Sequence, residues 1–125
     1  MLDLLTPKNL VLAWLAGFVI AGLALSVGQK LTSQLSCWGS NGGWQNEIAI
    51  WNLGASGMLL GVLHSEAGIE ASLLPGMLVL SLAFTANHVV ALLKHRDKLY
   101  LTNVAAAVGN AGGVLLIGLY YLTRA

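Results

Sequence analysis

The chain is poor in charge. Its 125 residues include only six Lys and Arg and five Asp and Glu, so 9% are charged, against about 25% in soluble domains. So few charges cannot cover the surface of a soluble globule, and with 57% hydrophobic residues the composition indicates a membrane protein. The net charge of +1 supplies no basic patch, which excludes nucleic acid as a partner.

Cysteine and proline are also scarce. The single cysteine, Cys37, excludes an intrachain disulfide and a Cys-X-X-Cys motif. The two prolines, Pro7 and Pro75, fall near the predicted starts of helices, where proline is tolerated. The sequence has no phosphate-cradling glycine loop and no serine nucleophile elbow. We therefore predict no catalytic residues, no metal site and no catalytic activity of the chain's own.

Long apolar segments dominate what is present. A spanning helix needs about 20 mostly apolar residues to cross a hydrocarbon core of about 30 Å. Short connections between such helices force neighbours to run antiparallel. We predict an all-α protein, a four-transmembrane-helix antiparallel (up-down-up-down) bundle that forms one integral membrane domain over residues 1–125. The predicted helices cover residues 9–31, 47–63, 73–93 and 99–122.

The basic residues predict an orientation in the membrane. Lys30, Lys94, Arg96 and Lys98 flank the first and third connections, whereas two basic residues lie with the termini and the middle connection. Because cytoplasmic loops carry the excess of Lys and Arg, the side of the first and third connections is predicted to be cytoplasmic.

Small residues recur at a spacing of four on several predicted helices. Such stripes let helices approach closely in a bilayer, where lipid tails are as apolar as leucine. We predict that they pack the helices of this chain against one another, and a homodimer is the alternative. The glycines assigned to packing are Gly17, Gly57, Gly61, Gly109 and Gly113.

Polar residues at membrane depth are the candidate ligand-binding site. Glu47, Asn52, His88 and Asn110 are all predicted in one half of the bundle or near its middle. Imidazole beside a carboxylate suits a quinone or another carbonyl headgroup, or proton transfer. The alternative is purely structural, because interhelical hydrogen bonds are ordinary in bundles and a carboxylate is stable at a helix N-terminus.

The remaining polar groups are weaker candidates for a functional site. His64, Glu66 and Glu70 in the middle connection are too few for a metal site, and a solvated turn explains them. Cys37 has no predicted His partner for a catalytic thiol. The tryptophans are predicted to anchor the helices near the headgroups or to fill the bundle: Trp14, Trp38, Trp44 and Trp51.

Three short runs of the sequence are similar to those of a known protein family. The runs QNEIAIWNLGASG from Gln45, Asn87-His88, and VGNAGG from Val108 resemble an uncharacterised bacterial family of small four-helix membrane proteins, distantly related to the DoxX-like group. Asn87 replaces that family's glycine before His88, and the acidic residue that follows its Asn-Ala-Gly run is missing here. The resemblance implies the four-helix fold and a bacterial inner or intracytoplasmic membrane.

Three functions follow as hypotheses. The first is an accessory or scaffold subunit that packs beside a larger membrane complex, with other membrane subunits and the lipid bilayer as partners. The alternative is a quinone- or lipid-binding protein linked to electron transfer through the Glu, His and Asn cluster. Such a protein predicts a cavity with His88 in its wall. An ion or proton pathway ranks last, because it needs polar groups in both leaflets.

Overall fold

The structure is a computed structural model that describes residues 4–65 and 68–124. Within these two ranges, all of the regular secondary structure is helical and no strand is present. This confirms the predicted all-α class. The helices are α1 (Pro7–Ser26), α2 (Gln29–Gln34), α3 (Gly42–His64), α4 (Glu70–Lys94) and α5 (Leu101–Leu122).

The first predicted helix is interrupted, which corrects the prediction of one helix over 9–31. α1 ends at Ser26, and the chain turns at Val27 and Gly28 before α2 begins. The Gly28 amide donates to the Leu23 carbonyl at 3.2 Å, and a Cβ on Gly28 would lie 2.9 Å from the Ala24 carbonyl oxygen. Any larger residue would strain this close approach. The turn therefore directs α2 away from the axis of α1.

Among the five helices of residues 4–65 and 68–124, three are long and apolar enough to cross a membrane, where four spans were predicted: α1, α4 and α5. The chain is thus a helical membrane protein. α3 has 23 residues and so has the length, but Gln45, Asn46, Glu47 and Asn52 make its first half more polar. α3 begins five residues earlier than predicted because the Asn41 side chain accepts a hydrogen bond from the Trp44 amide and caps the helix.

The long helices form two pairs. α3 lies along α1, with Leu53 against Gly22. The start of α3 also contacts α2, where the Gln29 side-chain amide donates to the Gly42 carbonyl at 3.3 Å. α4 lies along α5, and α1 also contacts both of these helices. In the described ranges, α3 has no extensive contact with α4 or α5. α1 therefore separates α3 from the α4–α5 pair.

The two ends of the bundle differ in chemistry. At the terminal end, which holds the start of α1 and the end of α5, the buried cluster is purely apolar and centres on Val11, Leu74 and Ile117. At the loop end, which holds α2 and the start of α5, Gln45 and Asn103 are buried polar residues. Polar chemistry is consequently concentrated at the loop end.

Candidate functional site

The polar centre of the loop end joins three segments through Asn103. The Asn103 side chain is 0% exposed, and its Oδ1 accepts a hydrogen bond from the Cys37 backbone amide at 2.8 Å. Its Nδ2 lies 3.3 Å from Nδ1 of His88 on α4. One amide thus connects α4, α5 and the segment that follows α2.

This arrangement determines which tautomer the neutral His88 ring adopts. The Cys37 amide can only donate, so the Asn103 atom that faces it must be the oxygen, and the nitrogen must face His88. Because that nitrogen can only donate, Nδ1 of His88 must be the acceptor. The proton of the neutral ring therefore lies on Nε2.

A strap formed by residues 35–38 lies over this centre. The Trp38 ring packs on the His88 ring with centroids 5.0 Å apart and an interplanar angle of 46°. The Thr102 amide donates to the Leu35 carbonyl at 3.1 Å. The sequence predicts Trp38 as an anchor at the headgroups or as a residue that fills the bundle. Its contact with His88 gives it a role over the polar centre that the sequence pattern does not indicate.

The other members of the predicted cluster lie elsewhere. Glu47 is exposed on α3, the helix that α1 separates from α4 and α5. The Asn52 side chain donates to the Ile48 carbonyl at 2.8 Å, within α3. The Asn110 side chain donates to the Ala106 carbonyl at 2.8 Å, within α5. Of the four predicted residues, only His88 has a polar contact with another helix in the described chain.

Ser81, Thr85 and His88, spaced four and three residues apart, form a polar face of α4 that points into the bundle. Ser81 is 0% exposed, Thr85 is half-buried, and the hydroxyl oxygens of both lack a hydrogen-bond partner in the described part of the chain. A Cβ on Gly113 of α5 would lie 2.8 Å from Ser81 Oγ and 3.4 Å from Trp14 Nε1. Glycine therefore lets α1, α4 and α5 meet closely at this level.

The glycines predicted to pack the helices separate into two groups. Gly113 makes the close approach just described, and Gly22, which the spacing pattern did not single out, packs against Leu53. The remaining four face open space, since a Cβ added to any of them would meet no described heavy atom within 4 Å beyond its own helix backbone: Gly17, Gly57, Gly61 and Gly109. The internal contacts expected of these four are not made, because their faces point away from the neighbouring helices.

Tyr100 organises the connection between α4 and α5. Its side chain is buried, and its hydroxyl donates to the Asp97 carboxylate at 3.0 Å while Lys98 Nζ lies 4.8 Å from its ring centroid. Burial, followed by the hydrogen bond to Asp97, raises the pKa of Tyr100. Sequence reasoning missed Tyr100 because a lone tyrosine at a helix start carries no pattern.

Cys37 is a half-buried free thiol. Burial raises the pKa of the Cys37 thiol, and Asp97 raises it further, whereas a backbone hydrogen bond and Lys98 act in the opposite direction. A raised pKa lowers the thiolate fraction at neutral pH, which disfavours nucleophilic reactivity.

The middle connection holds the residues weighed as metal ligands. His64 Nδ1 lies 2.8 Å from the Leu60 carbonyl on its own helix, and Glu70 begins α4. Glu66 lies outside the described residues. In residues 4–65 and 68–124, no three His, Cys, Asp or Glu side chains come together to hold a metal ion.

The described part of the chain includes an apolar and a polar concave surface. An apolar groove of about 300 Å³ lies between α3 and α4 over α1, and Trp14, Met58 and Leu80 are among its lining residues. His88 does not line this groove, so the groove is not the cavity with His88 in its wall that is predicted for a quinone-binding protein. A polar cleft of about 560 Å³ lies between α2 and the start of α3, with Lys30 and Gln45 in its lining.

Sequence reasoning did not assign Asn103 or Gln45 to the candidate site, although Asn103 falls in the predicted polar half of the bundle and one further signal was available. His88 lies eight residues before Arg96 and Asn103 seven residues after it. Residues at similar distances from the middle of a short helical connection face each other, so the pairing of His88 with Asn103 follows from the hairpin. The burial of Gln45 depends on the turn at Gly28, which the apolar pattern conceals.

Searches against protein-family models, curated proteins and solved structures return no match to this chain.

Proposed function

We propose that the chain is a small integral membrane protein that acts as an accessory subunit, packing through α3 against a helix of a larger membrane complex. The observation that carries this proposal is an outer seam on α3, formed by Ile50, Gly54, Gly57 and Gly61. Their spacing of four, three and four residues places them on one helix face. The buried residues Gln45, Ala49 and Ser56 lie on the opposite face, toward α1.

The seam has the character of a helix-packing surface without a helix on it. Ile50 is 70% exposed, and the space above the three glycines is open in the described chain. In a bilayer, small residues favour close backbone approach and so favour association of helices. An apolar helix of a partner protein is the occupant that fits such a seam.

Site-specific photocrosslinking in native membranes tests this proposal. A photoreactive residue at Met58, which borders the seam and is 65% exposed, is expected to capture one discrete partner chain. The matched control is Val108 on α5, which is 67% exposed and lies outside the seam, and it should capture lipid only. Capture of a second copy of this chain, or equal capture at both positions, would contradict the accessory role.

A substitution gives an independent readout. Gly57→Leu fills the seam without a clash inside the described chain, so we expect loss of the co-purified partner with unchanged thermal stability. Gly109→Leu, at an equally open position on α5, should retain the partner. A stable chain that purifies alone from its native membrane would refute the proposal.

The proposal includes α3 as a fourth span, in an antiparallel bundle of a bacterial inner or intracytoplasmic membrane. Its 23 residues extend roughly 34 Å at about 1.5 Å per residue, enough for a core of about 30 Å. In a Cys37→Ser background, Ser40→Cys and His64→Cys should react with an impermeant maleimide from opposite sides of the membrane. Labelling of both from one side would rule out the fourth span.

Binding of a quinone or a lipid carbonyl is the second candidate, and one observation favours it. The Nε2 proton of His88 has no acceptor among the described residues, which leaves it free to donate to a carbonyl oxygen. His88→Ala should then lower retention of a bound quinone, whereas Asn110→Ala should not. Equal retention in both variants would refute this candidate.

A further inference from the structure

We propose that the polar cleft between α2 and α3 binds the phosphodiester headgroup of a singly charged anionic phospholipid. This inference is independent of the accessory role. The cleft occupies about 560 Å³, within the range of about 300–1,000 Å³ typical of small-ligand sites. It adjoins the end of α1 and the start of α3, where spanning helices reach the headgroup level.

The lining has the charge and the donors that a phosphodiester requires. Lys30 is its one charged residue in the described chain, and no carboxylate contributes to it. The side chains of Gln34 and Ser40 also line the cleft and are not engaged by other described residues, so they are available to donate. One ammonium group with neutral donors matches a ligand of one negative charge.

The cleft is held open by a buried hydrogen-bonded brace. Gln45 is 7% exposed, and its Nε2 donates to Ser33 Oγ at 2.8 Å while its Oε1 accepts from the Asn41 amide at 3.3 Å. Ser33 Oγ in turn donates to the Gln29 carbonyl at 2.7 Å. The brace fixes α2 relative to the start of α3, so the cleft exists before a ligand binds.

The surroundings favour a lipid as the source of the phosphate group. Trp38 and Trp44 are each about half exposed and adjacent in sequence to a lining residue, Gly39 and Gln45, and tryptophan is enriched at the membrane–water interface. Free inorganic phosphate presents the same chemistry, so the experiment must separate the two sources.

Native mass spectrometry of the full chain from nanodiscs of mixed phosphatidylglycerol and phosphatidylcholine tests the proposal. Lys30→Gln is expected to lower retention of phosphatidylglycerol roughly tenfold, the effect of losing one charge-assisted hydrogen bond to the bound headgroup. Retention of phosphatidylcholine should not change, and Lys30→Arg should restore phosphatidylglycerol. The matched control is Lys94→Gln, which removes an exposed charge from the same end and should retain the wild-type amount.

Equal losses in Lys30→Gln and Lys94→Gln would indicate general attraction to anionic lipid and would overturn the site. No loss in either variant would also overturn it, because Lys30 would then not hold the headgroup. Millimolar inorganic phosphate should leave the bound phosphatidylglycerol in place. Its displacement by inorganic phosphate would overturn the assignment to a lipid. Lys30 is exposed, so circular dichroism of the variants is expected to match that of the unmodified chain.

Discussion

Asn103 Nδ2 lies 3.3 Å from Nδ1 of His88, and this contact joins α5 to α4 at the polar end of the bundle. The Asn103 side-chain oxygen accepts a hydrogen bond from the Cys37 backbone amide. Because a backbone N–H can only donate, this bond fixes the orientation of the Asn103 side-chain amide. A single side chain therefore determines both the position of the strap and the tautomer of His88.

Asn103→Ala should destabilise the fold. The substitution leaves the Cys37 amide and His88 Nδ1 without their partner in a site where Asn103 is fully buried. A buried polar group left unsatisfied costs about 1–3 kcal/mol. Thermal unfolding in mild detergent measures the loss, and Asn110→Ala, whose amide returns to its own helix, should cost less. Equal effects would show that the interhelical contact contributes little.

Gly113→Ala should destabilise the α4–α5 pair, by about 1 kcal/mol or more, because the new methyl group would lie 2.8 Å from Ser81 Oγ. Adding Ser81→Ala should recover most of the loss, since the Ser81 Cβ lies at an ordinary 3.7 Å. The comparison is Gly109→Ala, at an open position on the same helix, where alanine should be neutral or stabilising. Additive losses in the double variant would contradict this reading of the contact.

Gly28→Ala should lower the unfolding temperature, because its Cβ would lie 2.9 Å from a backbone oxygen that cannot move aside. We expect a loss of about 1–3 kcal/mol, typical of overpacking. Gly17→Ala, at an open position of α1, is the control and should not destabilise. An unchanged unfolding temperature for Gly28→Ala would mean that the turn relaxes freely.

Alkylation of Cys37 should require a higher pH than alkylation of an exposed thiol. Burial raises the pKa of Cys37, so less thiolate is present at a given pH and the rate profile moves to the alkaline side. The rate of reaction with iodoacetamide across a neutral-to-alkaline pH series measures this shift. Ser40→Cys in a Cys37→Ser background is the exposed reference, and coincident profiles would contradict the prediction.

Apolar segments predicted four spans, and three of them correspond to the helices long and apolar enough to cross a bilayer, α1, α4 and α5, because length and hydrophobicity alone decide this property. The agreement is close for α5, which begins at Leu101 where 99 was predicted and ends at the predicted residue 122. The first segment was predicted less well. Its hydrophobicity continues past Gly28, so the turn there leaves no signal in the apolar pattern.

The candidate site was predictable only in part. His88 was identified because an imidazole inside an apolar helix is rare and needs a partner. Its partner is Asn103, whereas Glu47, Asn52 and Asn110 do not reach it. The short α4–α5 connection places Asn103 opposite His88, a relation that the spacing in the sequence contains. Only the order of packing decides that the polar residues of α3 lie elsewhere.

The sequence by itself determined that the chain is a helical membrane protein, because eleven charges among 125 residues cannot solvate a globule and the apolar segments are long enough to span a bilayer. Only the tertiary structure decided that α1 lies between α3 and the α4–α5 pair, which places Glu47 away from His88 and leaves the outer seam of α3 open. The physical reason is that hydrophobicity places a helix in the membrane, but lipid tails are as apolar as neighbouring helices, so hydrophobicity does not decide which helices pack together. The choice of neighbours therefore depends on close contacts such as Gly113 with Ser81 and Gly22 with Leu53.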